Sequence, residues 1–216
     1  MASPVTRRAE ARVMFTFGGP RLIAAFLVGA LAWRIVLGAW EVGDAVVVLV
    51  ILGLEPLTEW LIHVFLLHFK PRTIAGRRVD LYVAQKHRAH HADPKDRELV
   101  LVPARVLVSA LIVASVAYPM LLPTVRLGVT ACVVSFAMLL TYEWTHHLIH
   151  SAYRPKSFYY RYVWRAHRLH HFRNEHYWYG VTVHLADHVL GTFPEKDEVP
   201  LSPTARTLGV EAETAA

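Results

Sequence analysis

The chain has 216 residues, of which 54% are hydrophobic and only 19% charged, and its mean hydropathy is +0.31. So little charge excludes an ordinary soluble domain, and the length excludes a string of domains. The net charge of +6, taken with that hydrophobicity, fits a membrane surface rather than nucleic acid, and no nucleic-acid partner is expected.

Four apolar stretches follow in chain order: 22–40 (LIAAFLVGALAWRIVLGAW), 45–69 (AVVVLVILGLEPLTEWLIHVFLLHF), 99–118 and 127–150. Each is long enough to cross roughly 30 Å of hydrocarbon as a helix. The first starts too late, and lacks the small-residue cleavage site, to be a removed signal peptide. The expected organisation is a cytoplasmic segment over 1–21, a membrane domain over 22–193, and a flexible tail over 194–216, whose last part is small and polar. Arg7, Arg8, Arg12 and Arg21 precede the first stretch. The second link runs from Lys70 to Arg97 with eight Lys and Arg, and another eight follow His150. The other two links hold Glu41 and Asp44 with no cation, and Arg126 alone. That alternation puts both termini in the cytoplasm.

The chain carries 14 His, all at the cytoplasmic ends of the second and fourth stretches or in the cytoplasmic segments. KHRAHH at 86–91 and AHRLHH at 166–171 repeat one another. His87 and His91, His167 and His171, and His146 and His150 are spaced four apart, so on a helix each pair shares a face and can hold one metal. The i+3 residues, His90 and His170, lie on the same side, and adjacent His point about 100° apart, so one turn can reach two metals. His63 and His68, five apart, are expected to serve two metals more readily than one. These ten would give two ions about five ligands each. Imidazole suits iron, zinc, copper or nickel, and a single cysteine, Cys132, offers no thiolate site. EWLIH at 59–63 echoes EWTHHLIH at 143–150, and each precedes an HRxHH turn, as in two copies of a two-span unit facing one cluster.

Glu59 and Glu143 sit one turn or less before His63 and His146. With Asp187 they are expected to accept the ring N–H groups of metal-bound His. The alternative for these Glu, and for Glu55, is an ion pair with Arg34 or Arg105. Trp60, Tyr142, Trp144, Tyr159, Tyr160, Trp164, Trp178 and Tyr179 are candidates for a lipid slot, although aromatics at an interface need no such role. His176 reads as a surface residue.

EWLIHVFLLHFKP, HRAHHADPKDRELVLVP, YEWTHHLIH and AHRLHHFRNEHYWYGVTVHLADHVLGT together resemble the histidine boxes of the fatty acid hydroxylase superfamily of membrane di-iron enzymes, and are most similar to those of the fatty acid (ceramide) 2-hydroxylases. The resemblance spans about 55 to 193. It implies an all-α membrane protein with four transmembrane helices and a cytoplasmic helical cap carrying a His-rich dimetal site. It implies ligands at His63, His68, His87, His90, His91, His146, His150, His167, His170 and His171. It also implies two iron ions, with zinc as a substitute, and O2 as co-substrate for hydroxylating a lipid or fatty acyl chain. His147 stands where the family often has an aromatic residue, and His184 and His188 are additional, so either is an alternative ligand. With no attached cytochrome b5 domain, electrons are expected from a separate ferredoxin or cytochrome b5-like donor and its reductase. Sterol or carotenoid hydroxylation and desaturation are the alternatives within the superfamily. A His-rich membrane metal transporter is the alternative outside it, but ligands on one membrane side do not make a path across.

Overall fold

In the computed structural model, which describes residues 5–210, the four apolar stretches are helical. Four candidate spans result: Gly18–Leu37, Val42–Leu67, Arg97–Leu121 and Val125–His150. The first, helix α2 (Gly18–Leu37), follows the short α1 (Arg7–Met14) and starts and stops earlier than expected. Gly38 takes φ +56° and ends it, so residues 38–40 turn instead of extending the span. Helix α3 (Val42–Leu61) runs directly into a π-helical turn, Ile62–Leu67. The third span joins α5 (Arg97–Val100) to α6 (Ala104–Leu121), and α7 (Val125–His150) is the fourth. Helices α4 (Tyr82–Ala92), α8 (Phe158–Phe172) and α9 (Leu185–Val189) complete the set, with a 3-10 turn at Lys196–Glu198. Ser157 caps α8 by accepting from the Tyr160 N–H. Strands β1 (Arg72–Ile74) and β2 (Arg77–Val79) form an antiparallel ribbon with Thr73 opposite Arg78. Its turn places Ala75 and Gly76 both at positive φ, as a two-residue hairpin demands.

The described residues divide into two compact units. One comprises 7–55 and 102–145. Its core is Ile23, Leu107, Leu111, Cys132 and Phe136, with Phe26 edge-on to Phe136 at 5.8 Å. At Gly128 a Cβ would fall 2.4 Å from the Pro119 Cα, so only glycine lets the start of α7 lie against the end of α6. Arg34, 1% exposed, donates from Nη2 to both Asp44 carboxylate oxygens at 2.8 Å and from Nε to Thr130 Oγ1 at 2.8 Å. Asp44, not a Glu of the second span, is therefore its ionic partner. Removing one side of so buried a pair costs about 3–5 kcal/mol. Val28, Ile35, Val36, Leu49, Leu54, Val113 and Met120 are exposed, an apolar exterior suited to hydrocarbon rather than water.

The other unit comprises, among the described residues, 5–6, 56–101 and 146–210. Trp178 is fully buried in its core with Ala166 and Val199. Residues 194–210 do not form the flexible tail expected from their composition. The Ser202 N–H donates to the Arg173 carbonyl at 2.7 Å, Arg173 Nε donates to the Val199 carbonyl at 2.6 Å, and the Thr204 hydroxyl donates to Glu175. Val199, Ala205 and Leu208 are buried. These three apolar side chains are too few to lift the average hydropathy of the segment, yet they are enough to seat it. The rest of the expected tail, 211–216, and residues 1–4 of the expected N-terminal segment lie outside the described residues.

Candidate metal centre

The ten histidines converge in two sets of five. His63, His68, His87, His91 and His170 form one, and His90, His146, His150, His167 and His171 the other; in each, one ring nitrogen per residue lies within 4.8 Å of the rest. Each set takes a helix-end pair and an i, i+4 pair from the same half of the repeat. Each then takes one further residue from the other half: His170 of α8 joins the first set and His90 of α4 joins the second. The adjacent positions His90/His91 and His170/His171 make the exchange, since neighbours on a helix diverge by about 100°.

The two helix-end pairs reach this equivalence differently. His146 and His150 are i and i+4 at the end of α7, so an ordinary helix aligns them. His63 and His68, five apart, would diverge by about 140° on an α-helix. The turn over Ile62–Leu67 is a π-helix instead, and the His68 N–H bonds the His63 carbonyl at 3.0 Å. An i→i+5 bond places residue i+5 over residue i. Both side chains therefore enter one set, where α-helical spacing alone assigns them to two.

The rings are oriented by backbone carbonyls. A carbonyl only accepts, so each contact fixes the proton on Nδ1 and leaves Nε2 a lone pair. His63 donates to the Tyr179 carbonyl at 2.6 Å, His170 to Tyr177 at 2.8 Å, His91 to Ala205 at 2.8 Å and His146 to Val100 at 2.8 Å. The freed nitrogens then crowd together. The Nε2 atoms of His63 and His91 lie 3.2 and 3.1 Å from His87 Nε2, and those of His146 and His150 lie 3.1 Å from His167 Nε2. One imidazole proton cannot bridge both neighbours, so lone pairs face one another unless a cation sits among them. Buried nitrogens with no partner among the described residues, His68 Nε2, His170 Nε2 and both nitrogens of His90, make the same demand. Burial holds the rings of His68, His87, His90, His91, His167 and His171 well below the usual imidazole pKa, and neighbouring imidazoles lower them further. His170 falls to about 4, chiefly by burial. Neutral imidazole is the form that binds metal. The donor set fits a pair of transition-metal ions such as iron or zinc.

The three carboxylates do their work one step further out than expected. Glu59 accepts from the N–H groups of Val181 and Thr182 and from the Thr182 hydroxyl. Asp187 accepts from the N–H groups of Tyr179 and Gly180 at 3.0 and 2.7 Å, and from Thr192 Oγ1 at 2.6 Å. Together they clamp the loop whose Tyr177 and Tyr179 carbonyls orient His170 and His63. Glu143, fully buried, accepts from the Val102 N–H at 2.9 Å. Any residue has a carbonyl, so residue types carry no signal of these orienting roles. His184, buried, donates from Nδ1 to Asp187 at 2.9 Å, while His188 contacts the Tyr162 hydroxyl at 2.8 Å. Neither these nor His147 falls in either set. A cavity of about 250 Å³ opens beside the first set, with His68 and Tyr179 in its wall. Of the aromatics proposed for a lipid slot, Tyr179 alone lines it. Trp60 instead donates to Thr192 Oγ1 at 3.0 Å, and Trp178 to the Pro194 carbonyl at 3.2 Å.

No curated protein matches the chain. A solved structure described as full-length scs7p, with only the hydroxylase domain visible, matches with a TM-score of 0.64 at 20% identity, over 92% of this chain and 70% of that one. At that identity the likeness speaks for the fold. The family model described as fatty acid hydroxylase matches residues 48–192, well over half of the sequence and a stretch containing all ten clustered histidines. With that match added to the two imidazole sets, the chain belongs to the fatty acid hydroxylase family.

Proposed function

We propose that the protein is a membrane di-iron oxygenase that hydroxylates a C–H bond of a lipid acyl chain, with the 2-position of a fatty acyl group as the favoured target. The observation that carries this reading is the pair of five-imidazole sets, each with one ring nitrogen per residue within 4.8 Å of the rest. Five ligands to each ion come from the ten histidines. Two iron ions, when bound, supply the activation of O2 and the cleavage of the C–H bond. The chain supplies the rest. Nδ1 protons held on carbonyls keep the ligand nitrogens bare, and the clamped loop over 177–182 keeps the His63 and His170 rings in place. The part-buried position of His68 beside the cavity gives the substrate an approach to the first set. The alternation of basic links supports a cytoplasmic location for both termini and the metal site, where a separate ferredoxin or cytochrome b5-like protein would deliver two electrons.

The test is iron analysis of the purified chain combined with lipid mass spectrometry of cells with and without it. Two irons per chain and new 2-hydroxyacyl lipids are expected. A fully loaded protein that leaves the lipid profile unchanged would overturn the reading. NADPH alone is expected to give no turnover until donor and reductase are added. A reporter fused after Ala216 and active only outside the cytoplasm should stay silent.

A further inference from the structure

The cavity beside His68 has a chemistry of its own. Its wall follows the end of the second span, where Phe65 and Phe69 lead straight into Lys70 and Arg72, and Tyr179 and Leu208 also line it. Val64, Phe65, Phe69, Tyr179 and Leu208 give the lining its apolar part, and Lys70 and Arg72 add two cations. Neither Lys70 nor Arg72 has a carboxylate partner among the described residues; Arg72 lies over the Phe69 ring at 5.5 Å. Gly209, at φ +67°, leaves the space that Lys70 fills, since a Cβ there would fall 2.8 Å from Nζ. Glu175 is the one acid in the wall, and its Oε1 is engaged by the Thr204 hydroxyl. His176, largely exposed, lies 3.6 Å from the same Oε1. Two cations outnumber the one carboxylate, and with an apolar lining at the end of a membrane span they make a site for the head of an anionic amphiphile.

We propose that this cavity binds the anionic headgroup of an acyl lipid substrate, with Lys70 and Arg72 as counter-cations and the first carbons of the chain lying between Phe65 and Tyr179 toward His68. The proposal rests on the hydroxylase reading for the word substrate, and on the cavity alone for the headgroup.

The experiment uses the full metal-loaded chain in detergent and equilibrium dialysis of palmitate, palmitamide and hexadecyl phosphate, with hydroxylated product scored by mass spectrometry. Palmitate is expected to bind roughly tenfold more tightly than palmitamide. The Lys70→Gln/Arg72→Gln protein is expected to lose that preference while keeping its iron and its affinity for palmitamide. Equal binding of acid and amide by the wild type, or a preference that survives the double substitution, overturns the proposal. Cation-dependent binding of hexadecyl phosphate with no such binding of palmitate marks a resident lipid phosphate and overturns the assignment to substrate. If palmitate binds in the cation-dependent way but no acyl lipid is hydroxylated, the oxygenase reading fails and the headgroup site stands.

Discussion

The two imidazole sets are built from the same number of histidines on different foundations. The second set stands on regular helix: α7 supplies His146 and His150, and α8 supplies His167 and His171. The first rests on a π-turn for His63 and His68 and on a loop for the carbonyls that orient His63 and His170. It also borders the cavity. Regular helix aligns His146 with His150 and His167 with His171 through its own hydrogen bonds, with the Val100 carbonyl orienting the His146 ring. A π-turn and a loop must be held by other parts of the fold, here by Glu59 and Asp187. The π-turn and the loop border the cavity, and π-turns recur at functional sites. The first set borders the cavity, and no residue of the second lines it.

The sharpest way to break this contrast is to give the second set the spacing of the first. One Ala inserted after His147 would put His146 and His150 five apart on an α-helix, diverging by about 140°. Loss of the second ion is expected, with at least a hundredfold loss of hydroxylation. Retention of both ions would mean that α7 absorbs the insertion as a π-turn as readily as α3 has done. Next come His91→Ala and His171→Ala, one ligand from each set. Each should lower metal affinity and activity by at least 10- to 100-fold, read as iron per chain and hydroxy-lipid yield at equal expression. Full iron in His171→Ala would contradict the ten-ligand assignment.

Much of this is legible in the sequence, and the missing part has a physical pattern. The spans follow from apolar length, and the ten histidines follow from spacing and resemblance. Their division does not follow for His63 and His68, because a π-turn depends on how the backbone closes rather than on any residue type. Glu59 and Asp187 are legible as supports, but their action through backbone N–H groups is not, since an N–H is common to nearly every residue. The order of the 194–210 segment is hidden because one carbonyl, that of Ala205, and a few buried side chains carry its role.

A milder perturbation separates the sets by their supports. Asp187→Asn keeps the shape but weakens the clamp on Tyr179 and Gly180. A tenfold or greater loss of metal affinity is expected at the first set alone. Metal titration should then show one weakened ion and one unchanged; equal weakening of both would remove the asymmetry. Asp187 also gives a pH signature. Burial would raise its carboxyl, but hydrogen bonds from His184, Thr192 and the Gly180 N–H outweigh that and hold it below the usual range. A depressed carboxyl stabilises the fold at pH above the unfolded value of about 3.9, and the gain fades as pH falls through the lower folded value. The melting-temperature gap between wild type and Asp187→Asn should be full above pH ~4 and close below it. A gap that widens in acid would rule out these hydrogen bonds as its cause. The smallest effect on metal is expected at His176, exposed and outside both sets: His176→Ala should keep its iron within about twofold.

The exchange of His90 and His170 between the sets also governs biogenesis. Neither set is complete in the first half of the chain, since even the one founded on His63 and His68 waits for His170, and the ring of His91 waits for the carbonyl of Ala205. On the ribosome, all four apolar segments emerge before either pocket can close. A metal ion would therefore be acquired by a chain whose spans have already been synthesised, and a nascent chain stalled before α8 has no finished set to hold it.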